Sequence, residues 1–449
     1  MREFDVVVIG AGVAGEVAAG RLGENGISVA LVEDRLVGGE CSYYACMPSK
    51  ALLRPVEIVR EAARVPGVEV GPLDVAAVLQ RRDDVIARLD DSGQVPWLEQ
   101  RGVTLVRGRG RLDGERRVVV DGEELLARKA VIVATGSSAL VPDIPGLRDA
   151  RPWTNIEATT AAAPPRRLAV LGGGVVGVEM AQAWSALGSE VTLVHRSERL
   201  LEREEPFAGE QVRDALVEDG VDVRLQRFAV RVSRGDEVVI ELDDGSIVKA
   251  DEVLVAFGRV PGTADIGLDT VGVPGEGPLL VGDDLRVPGH DWLFALGDVN
   301  GRALLTHMGK YQGRLAADTI MGRAAELRSD GARSPRVIFT DPQVGAVGLT
   351  LALAEEAGLR VRVVDVDTGG NAGGSFVGRG AAGTSRIVVD EDRRVIVGAT
   401  ITGSEIAEAL HAATIAVVAE VSLDDLWHAV PSFPTRSELW LKLLEAYGL

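Results

Sequence analysis

Residues 5–33 read DVVVIGAGVAGEVAAGRLGENGISVALVE, and this stretch decides the fold of the first part of the chain. An apolar run, a glycine-rich turn, a stretch of helical character and a second apolar run predict strand, turn, helix and strand. The glycines Gly10, Gly12 and Gly15 follow the pattern G-x-G-x-x-G. Such a turn lets the backbone approach a pyrophosphate at the N-terminus of the helix, so the stretch predicts a dinucleotide-binding unit.

The same order of residues recurs at 167–196, RLAVLGGGVVGVEMAQAWSALGSEVTLVHR, with Gly172, Gly174 and Gly177 in the glycine positions. The glycine pattern alone is weak, because a chain with 54 glycines reaches it by chance. A third match, at 378–383, runs from a loop-like stretch into a strand-like one, so it offers no helix N-terminus to a phosphate. The strand–turn–helix–strand context favours the first two matches, and the alternative is that both are purely structural turns.

The residue that ends the second strand of each unit predicts which ribose the unit binds. Glu33 and His195 stand at the same offset from the first glycine of their copies, and Arg196 follows His195. A carboxylate accepts hydrogen bonds from a free 2′-hydroxyl, whereas a basic pair suits a 2′-phosphate. The chain therefore predicts two dinucleotide sites with different ribose preferences.

Length and charge exclude several classes of protein. The chain has 449 residues, enough for two to four domains, and its formal net charge of −19 argues against a nucleic-acid partner. No apolar run approaches the roughly 18 residues that a membrane span needs. The N-terminal residues do not resemble a signal peptide. We therefore expect a protein of the cytoplasm that binds neither nucleic acid nor membrane.

The two cysteines of the chain, Cys41 and Cys46, predict redox chemistry. They lie just after the Glu33 strand, and a helix is predicted to begin near Cys46. A thiol at a helix N-terminus is biased towards the reactive thiolate. Two inert buried thiols are the structural alternative, and a metal pair is disfavoured because the chain has few other soft ligands.

Several motifs together resemble the class I pyridine nucleotide-disulfide oxidoreductases, a family that includes glutathione reductase, dihydrolipoamide dehydrogenase and mercuric reductase. GGECSYYACMPSKALL at 38–53 is similar to the family's G-G-T-C-x-x-x-G-C-x-P-S-K motif. Further similar segments cover nearly the whole chain, namely ATGSSALVPDIPG (134–146), AFGRVPGT (256–263), LFALGDVNG (293–301), LLTHMGKYQGR (304–314) and VIFTDPQVGAVGLT (337–350).

The resemblance implies an α/β fold with two Rossmann-like dinucleotide-binding domains, for FAD and NAD(P), and a C-terminal α+β domain that pairs two subunits into a homodimer. Pro-rich connectors and composition changes suggest the borders. The expected domains are the first part of the FAD domain, 1–152, the NAD(P) domain, 153–265, the second part of the FAD domain, 266–332, and the interface domain, 333–449.

The resemblance also implies residue roles. Cys46 would lie against the flavin as the thiolate and Cys41 would attack the substrate disulfide, while Lys50 and Glu179 would form an ion pair beside the flavin. Asp298 would meet the ribityl or phosphate part of FAD, and Gly110 would approach its adenine end. The remaining implied cofactor contacts are Gly39, Thr135, Gly136, Ser137 and Gly258.

The match fails at the family's C-terminal signature H-P-T-x-x-E. The aligned residues are PSFPTRSE, in which Glu438 is kept but Phe433 replaces the histidine that protonates the departing thiolate. General acid catalysis typically contributes about 10²–10⁴-fold, so efficient disulfide reduction becomes doubtful. His428 and His307 are weak candidates for a substitute.

Two departures concern the cysteine motif itself. Glu40 replaces the usual threonine and adds a negative charge near the FAD phosphates unless it turns to solvent. Tyr43 and Tyr44 stand between the cysteines, where they either pack beneath the loop or contribute a hydroxyl or an aromatic wall to the substrate site.

The sequence thus predicts an FAD-dependent enzyme that passes hydride from NADPH (NADH being possible) to the Cys41–Cys46 pair and on to a small disulfide. A flavoprotein that reduces a quinone or another non-thiol acceptor is the alternative, since Phe433 cannot carry a proton. A dihydrolipoamide dehydrogenase-like activity and a non-catalytic redox sensor are less favoured.

Overall fold

The computed structural model describes residues 1–380 and 383–449, which form mixed α/β structure. In chain order the strands are β1 (Arg2–Ile9), β2 (Val29–Glu33), β3 (Val103–Arg107), β4 (Gly110–Leu112), β5 (Arg117–Val120), β6 (Glu123–Val133), β7 (Ser137–Ala139), β8 (Arg167–Leu171), β9 (Glu190–His195), β10 (Asp222–Leu225), β11 (Ala229–Arg234), β12 (Val238–Leu242), β13 (Ile247–Ala250), β14 (Glu252–Val255), β15 (Arg259–Pro261), β16 (Leu293–Ala295), β17 (Arg336–Ile338), β18 (Gln343–Gly348), β19 (Val361–Asp367), β20 (Thr384–Asp390) and β21 (Val395–Gly403).

The helices alternate with the strands in the first half of the chain and gather at its C-terminal end. They are α1 (Val13–Glu24), α2 (Gly39–Tyr43), α3 (Cys46–Arg64), α4 (Val75–Val85), α5 (Val95–Glu99), α6 (Asn155–Thr160), α7 (Val175–Ala186), α8 (Pro206–Glu218), α9 (Thr306–Ile320), α10 (Leu351–Glu356), α11 (Ala372–Ser375), α12 (Leu410–Val418), α13 (Leu423–His428) and α14 (Glu438–Tyr447).

The chain divides into two compact units. The first is built from Met1–Pro48, Asp83–Ala139 and Arg259–Gly331, and the second from Ser49–Arg82, Leu140–Gly258 and Ala332–Leu449. The chain therefore leaves the first unit at residue 49, returns to it at 83, leaves it again at 140 and returns at 259. The exact domain borders given above stay a prediction.

The first unit is a sheet with the strand order β3-β2-β1-β6-β5-β4, and β16 also pairs with β6. Strands β3, β2, β1, β6 and β16 run parallel, whereas β4, β5 and β6 form an antiparallel meander. Every residue of β2 is buried, as expected for a parallel strand covered on both faces. The turn between β1 and α1 lies at the carboxyl end of β1, where such sheets bind ligands.

The second unit contains a parallel sheet with the order β10-β9-β8-β14 and a small antiparallel sheet, β11-β12-β13. Helix α7 crosses between β8 and β9, and its Trp184 is completely buried in the largest apolar cluster of this unit. The 167–196 stretch thus forms the predicted second βαβ unit.

The C-terminal part of the second unit is an antiparallel sheet with the order β17-β18-β21-β20-β19. Helices α12 and α14 pack their apolar residues against it, with Leu410, Leu439 and Leu443 in one buried cluster. No helix in the described part of the chain combines the length and apolar character that crossing a membrane requires.

The third glycine match does not form a βαβ turn. Its positions 381–382 lie outside the described residues, and strand β20 follows it directly. The prediction that no helix start is available at this match is therefore confirmed in the part that the structure describes.

Candidate active site

The glycine turn of the first unit leaves room for a phosphate group. Gly10 has a φ of 103°, and a Cβ there would collide with the carbonyl of Ala134. Gly12 caps the N-terminus of α1, and a Cβ built on it would meet no atom within 4 Å. A side chain would fill this open space, which lies in front of the unpaired N–H groups of α1. Gly15 has no such space, since its Cβ would collide with the Gly10 carbonyl.

Glu33 ends β2 beside this turn as a fixed hydrogen-bond acceptor. Its Oε2 accepts the backbone N–H of Ala11 at 2.7 Å, and its Oε1 accepts that of Arg35 at 2.8 Å. Burial raises the pKa of Glu33, and these two hydrogen bonds oppose the rise. Each carboxylate oxygen keeps a further lone pair, which suits the hydroxyls of a ribose.

Other predicted contacts of the first unit surround the same turn. A Cβ on Gly39 would come within 2.7 Å of Gly12 Cα, so these two glycines allow the cysteine segment to approach the turn closely. Gly110 lies on β4, where a Cβ would come within 3.0 Å of Ile9 and Val32 side chains. Thr135 donates its hydroxyl to the Gly262 carbonyl at 2.6 Å.

The cysteine pair belongs to the first unit. Cys41 lies in α2, Cys46 is the first residue of α3, and both are free thiols. Thr306, the first residue of α9, places its Oγ1 3.2 Å from Cys46 Sγ. A hydrogen bond to Cys46 and burial raise the pKa of Cys41 well above that of an ordinary thiol. The role of Cys46 as the thiolate beside the flavin stays a prediction.

Ser137 and Asp298 meet at the end of β7. The Ser137 hydroxyl donates to Asp298 Oδ2 at 2.5 Å. Arg259 Nε donates to the same hydroxyl oxygen at 2.6 Å, and Arg259 Nη2 donates to Glu40 Oε2 at 2.5 Å. Glu40 does not turn to solvent, since its charge is paired with that of Arg259. Burial raises the pKa of Asp298, and the Ser137 hydrogen bond and the Arg259 charge oppose the rise.

The second glycine turn, in the second unit, has the same design as the first. A Cβ on Gly177 would collide with the Gly172 carbonyl, whereas Gly174, which caps α7, faces space that is empty within 4 Å. Gly258 has a φ of 120° and likewise has no neighbour within 4 Å of an ideal Cβ.

His195 and Arg196 differ in charge, although the sequence predicts a basic pair. The backbone N–H of Gly173 donates to His195 Nδ1 at 3.1 Å, and the buried Nε2 lies 3.6 Å from Glu202 Oε2. Burial lowers the pKa of His195, so the ring is neutral at pH 7. Arg196 is exposed, and its contact with a nucleotide phosphate stays a prediction.

Lys50 and Glu179 form an ion pair within the second unit. Lys50 Nζ lies 2.7 Å from Glu179 Oε2, and the backbone N–H of Phe339 donates to Glu179 Oε1 at 2.9 Å. The ammonium group also lies 4.7 Å from the centre of the Phe339 ring. The pair is thus fixed from both sides, and its position beside the flavin stays a prediction.

The C-terminal signature lies on the surface of the second unit. The Phe433 side chain is 77% exposed, and Glu438, the first residue of α14, accepts the backbone N–H of Gly373 at 3.3 Å. His428 ends α13 and is exposed, and His307 in the first unit is exposed as well. Whether either histidine substitutes for the missing acid stays a prediction.

The two tyrosines between the cysteines have different surroundings. Tyr43 is buried, and burial together with the charges of Asp91 and Glu16 raises its pKa to about 12. It is therefore a packing residue and a poor proton donor. Tyr44 is half-buried and stacks under the Arg35 guanidinium, 5.1 Å from the ring centre.

Sequence reasoning missed two residues of this site, Thr306 and Arg259. Both stood inside segments quoted for the family resemblance, yet neither had a role assigned. The contacts of Thr306 with Cys46 and of Arg259 with Glu40 join residues that are 260 and 219 positions apart. No local pattern signals contacts of that range.

The chain matches known proteins over nearly its whole length. The family model for pyridine nucleotide-disulphide oxidoreductases matches residues 4–313, and the model for the dimerisation domain of that family matches residues 334–443. A mercuric reductase from Staphylococcus aureus is 31% identical over 97% of this chain and 81% of its own length. A dihydrolipoyl dehydrogenase from Haloferax volcanii is 32% identical over 98% of this chain and 95% of its own.

Two solved structures share the fold. LpdA from Mycobacterium tuberculosis superposes with a TM-score of 0.87 at 24% identity, covering 100% of both chains. The HOCl-induced flavoprotein disulfide reductase RclA from Escherichia coli has a TM-score of 0.86 at 24% identity, covering 98% of this chain and 99% of its own. At this identity the likeness shows the fold, and it confirms the predicted fold class.

The chain belongs to the pyridine nucleotide-disulphide oxidoreductase family. It is an FAD-dependent oxidoreductase that uses NAD(P) and acts on sulfur groups, as the sequence predicts. The first unit fits FAD, because the open cradle at Gly12 faces a helix N-terminus beside Glu33. The second unit fits a nicotinamide nucleotide, because the open cradle at Gly174 faces the N-terminus of α7, and the neighbouring Gly173 packs against His195.

Proposed function

We propose that this enzyme uses NADPH to reduce a small disulfide, with Cys41 and Cys46 as its redox pair. The observation that carries the proposal is the placement of two free cysteines in adjoining helices, Cys41 in α2 and Cys46 at the start of α3, with Thr306 in contact with Cys46. When bound, FAD accepts hydride from the nicotinamide and passes both electrons to the disulfide form of the pair. The chain itself supplies the fixed positions of these groups.

The reduced pair then reduces the substrate in two exchange steps. The sulfur of Cys41 loses its proton and attacks the substrate disulfide, which forms a mixed disulfide and releases one thiol. Cys46 then attacks the Cys41 sulfur, which closes the Cys41–Cys46 disulfide and releases the second substrate sulfur as thiolate. The proton that leaves Cys41 suffices for the first thiol, and the second is protonated by water, since Phe433 cannot donate one.

The reduction of a quinone or another non-thiol acceptor is the second candidate, and the 77% exposed phenyl ring of Phe433 favours it. Such an acceptor needs no proton at the position of the missing histidine. In that case electrons leave the flavin without passing through Cys41.

A turnover screen over small disulfides and quinones with NADPH tests the choice, and the Cys41→Ser variant separates the two candidates. Disulfide reduction that disappears in Cys41→Ser supports the proposal. Quinone reduction that survives in Cys41→Ser, in an enzyme inactive towards every disulfide tested, supports the alternative. Serine is isosteric with cysteine, so we expect the variant to fold. Retention of bound FAD is the control for folding.

We also propose that the enzyme is a homodimer located in the cytoplasm. The chain carries the family's dimerisation domain at 334–443. In the same segment Val430, Ile415 and Trp427 are 82%, 53% and 39% exposed, an apolar surface that a second subunit would cover. Sedimentation of the purified enzyme at twice the chain mass is the expected result.

A further inference from the structure

Glu40 replaces the threonine of the family motif, and its carboxylate pairs with the guanidinium of Arg259. Its Oε2 accepts a hydrogen bond from Arg259 Nη2 at 2.5 Å, and both side chains are 22% exposed. Arg259 Nη2 also donates to the Ser137 carbonyl at 2.7 Å. The guanidinium is thus held on two sides, and it joins α2 to the paired strands β7 and β15.

Two further hydrogen bonds define which groups donate and which accept around Arg259. Its Nε donates to Ser137 Oγ, so the Ser137 hydroxyl has its own proton left to donate, and Asp298 Oδ2 accepts it. A guanidinium has no acceptor atom, and it cannot reverse the order. As long as Glu40 holds Arg259 in this position, the Ser137 hydroxyl stays directed at Asp298 Oδ2.

We propose that Glu40 is a positioning residue for the FAD site, which acts through Arg259 and Ser137 to keep the Asp298 carboxylate available to a hydroxyl of the cofactor. The inference rests on the proposed role of Asp298 as an FAD contact. It goes beyond that role because it assigns a function to Glu40, the residue at which this chain departs from the family motif.

The distance between Arg259 and Asp298 explains why Glu40 is needed to hold the arginine in position. Arg259 Nε already lies 3.7 Å from Asp298 Oδ2. Without Glu40, the guanidinium is free to pair with Asp298 directly and to occupy its acceptor positions. Without Arg259, two carboxylates share a partly buried site, and the charge of Glu40 raises the pKa of Asp298 further.

The arrangement also connects the FAD site to the redox pair. Glu40 precedes Cys41 in α2, and Gly39 of the same helix packs against Gly12 of the phosphate turn. The Glu40–Arg259 pair therefore holds α2 in place. This helix carries Cys41 of the redox pair and Gly39, which packs against the phosphate turn.

A double-mutant cycle on FAD release from the holoenzyme tests the inference, with dissociation followed by the recovery of free flavin fluorescence after dilution. We expect Arg259→Gln to release FAD at least tenfold faster than the parent and Glu40→Gln a few-fold faster. The double variant is expected to release it more slowly than Arg259→Gln alone, because the unpaired charge of Glu40 is gone. Arg101→Gln, which breaks the Arg101–Glu24 pair of 2.7 Å in the same unit, is the control and should match the parent.

The pH profile of FAD release is the second readout, since a purely structural pair would not move it. Release accelerates as Asp298 is protonated, and this acid limb should shift to higher pH in Arg259→Gln and return in the double variant. Two results overturn the inference. One is a double variant whose increase in FAD release rate equals the product of the two single increases, and the other is an acid limb that does not shift in Arg259→Gln. Asp298→Asn tests the underlying assignment separately: if it holds FAD as tightly as the parent, the proposed role of Asp298 fails.

Discussion

The hydroxyl of Thr306 lies 3.2 Å from the sulfur of Cys46, at the point where α9 begins. A thiolate can only accept, so the hydroxyl donates once Cys46 has lost its proton. Because Cys46 also begins α3, its sulfur lies at a helix N-terminus, where negative charge is stabilised. Two features that are far apart in the sequence thus favour the same ionised form.

Thr306→Val is expected to raise the pKa of Cys46, because it removes the hydroxyl while keeping the shape. A hydrogen bond to a charged group contributes about 1.5–3 kcal/mol, which corresponds to roughly one to two pKa units. The measurement is the pH dependence of Cys46 alkylation in a Cys41→Ser background. Thr306→Ser retains the hydroxyl and should behave as the parent, so an equal shift in both variants would contradict the assignment.

Disulfide reduction is expected to rise with pH past the ordinary thiol range. The hydrogen bond to Cys46 and burial hold the pKa of Cys41 above its usual value, and only the deprotonated sulfur attacks. The rate should therefore keep increasing beyond about pH 8.5, where an unperturbed thiol levels off. A kcat/KM profile with a disulfide substrate tests this expectation, and a plateau near neutral pH would count against it.

The local parts of the fold could be predicted from the sequence. The β1–α1–β2 and β8–α7–β9 units follow from glycine turns and apolar runs that are contiguous in the chain. The residues at 405–421, EIAEALHAATIAVVAEV, read as one helix in the sequence, whereas α12 covers only Leu410–Val418 in the structure. The backbone explains the difference at both ends of the stretch. Glu405 and Glu420 have positive φ values, 53° and 49°, so neither residue can belong to a right-handed helix.

The chemistry of the site could be predicted only where it depends on residue type. Cysteine spacing and the acid at Glu33 are visible in the sequence. Whether Glu40 faces solvent depends on Arg259, and whether His195 is charged depends on its burial. Both depend on tertiary structure, so the sequence left the first open and suggested the wrong charge for the second.

Arg196→Ala is expected to impair NADPH selectively. Arg196 is the exposed cation next to the neutral His195, and its charge suits a 2′-phosphate. Loss of one such contact typically costs about 1.5–3 kcal/mol, so KM for NADPH should rise roughly 10- to 100-fold. KM for NADH should stay unchanged in the same preparation. Arg166→Ala, a 78% exposed arginine at the other end of the nucleotide-binding sheet, is the matched control.

Glu16→Gln is expected to stabilise the enzyme at pH 8 but not at pH 4.5. Burial raises the pKa of Glu16 to about 7, although the charge of Lys310 opposes the rise. Between the unfolded value and about 7 the folded chain binds the extra proton, so the free energy of unfolding falls as pH rises through this range. The gain should be about 1–3 kcal/mol by urea unfolding with excess FAD. Glu115→Gln, at a 66% exposed residue, should show no such pH-dependent gain.

Phe433→His is expected to increase disulfide turnover, since it restores a proton donor at the position where this chain departs from its family. The position is solvent-accessible, and Thr435 and Glu438 nearby are held by hydrogen bonds to Ser432 and Gly373. General acid catalysis contributes about 10²–10⁴-fold in optimised sites, so a gain of roughly tenfold is a modest expectation for one substitution.

The control for that gain is Phe376→His, which makes the same substitution at a phenylalanine that is 71% exposed in the same unit. A gain specific to Phe433→His should carry a new pH dependence near the imidazole pKa of about 6.5, because only one protonation state donates. Equal gains in both variants would instead reflect a general effect of added histidine. No gain in either, together with quinone turnover that is unchanged by Phe433→His, would show that this enzyme does not need an acid at that position and would favour the non-thiol acceptor.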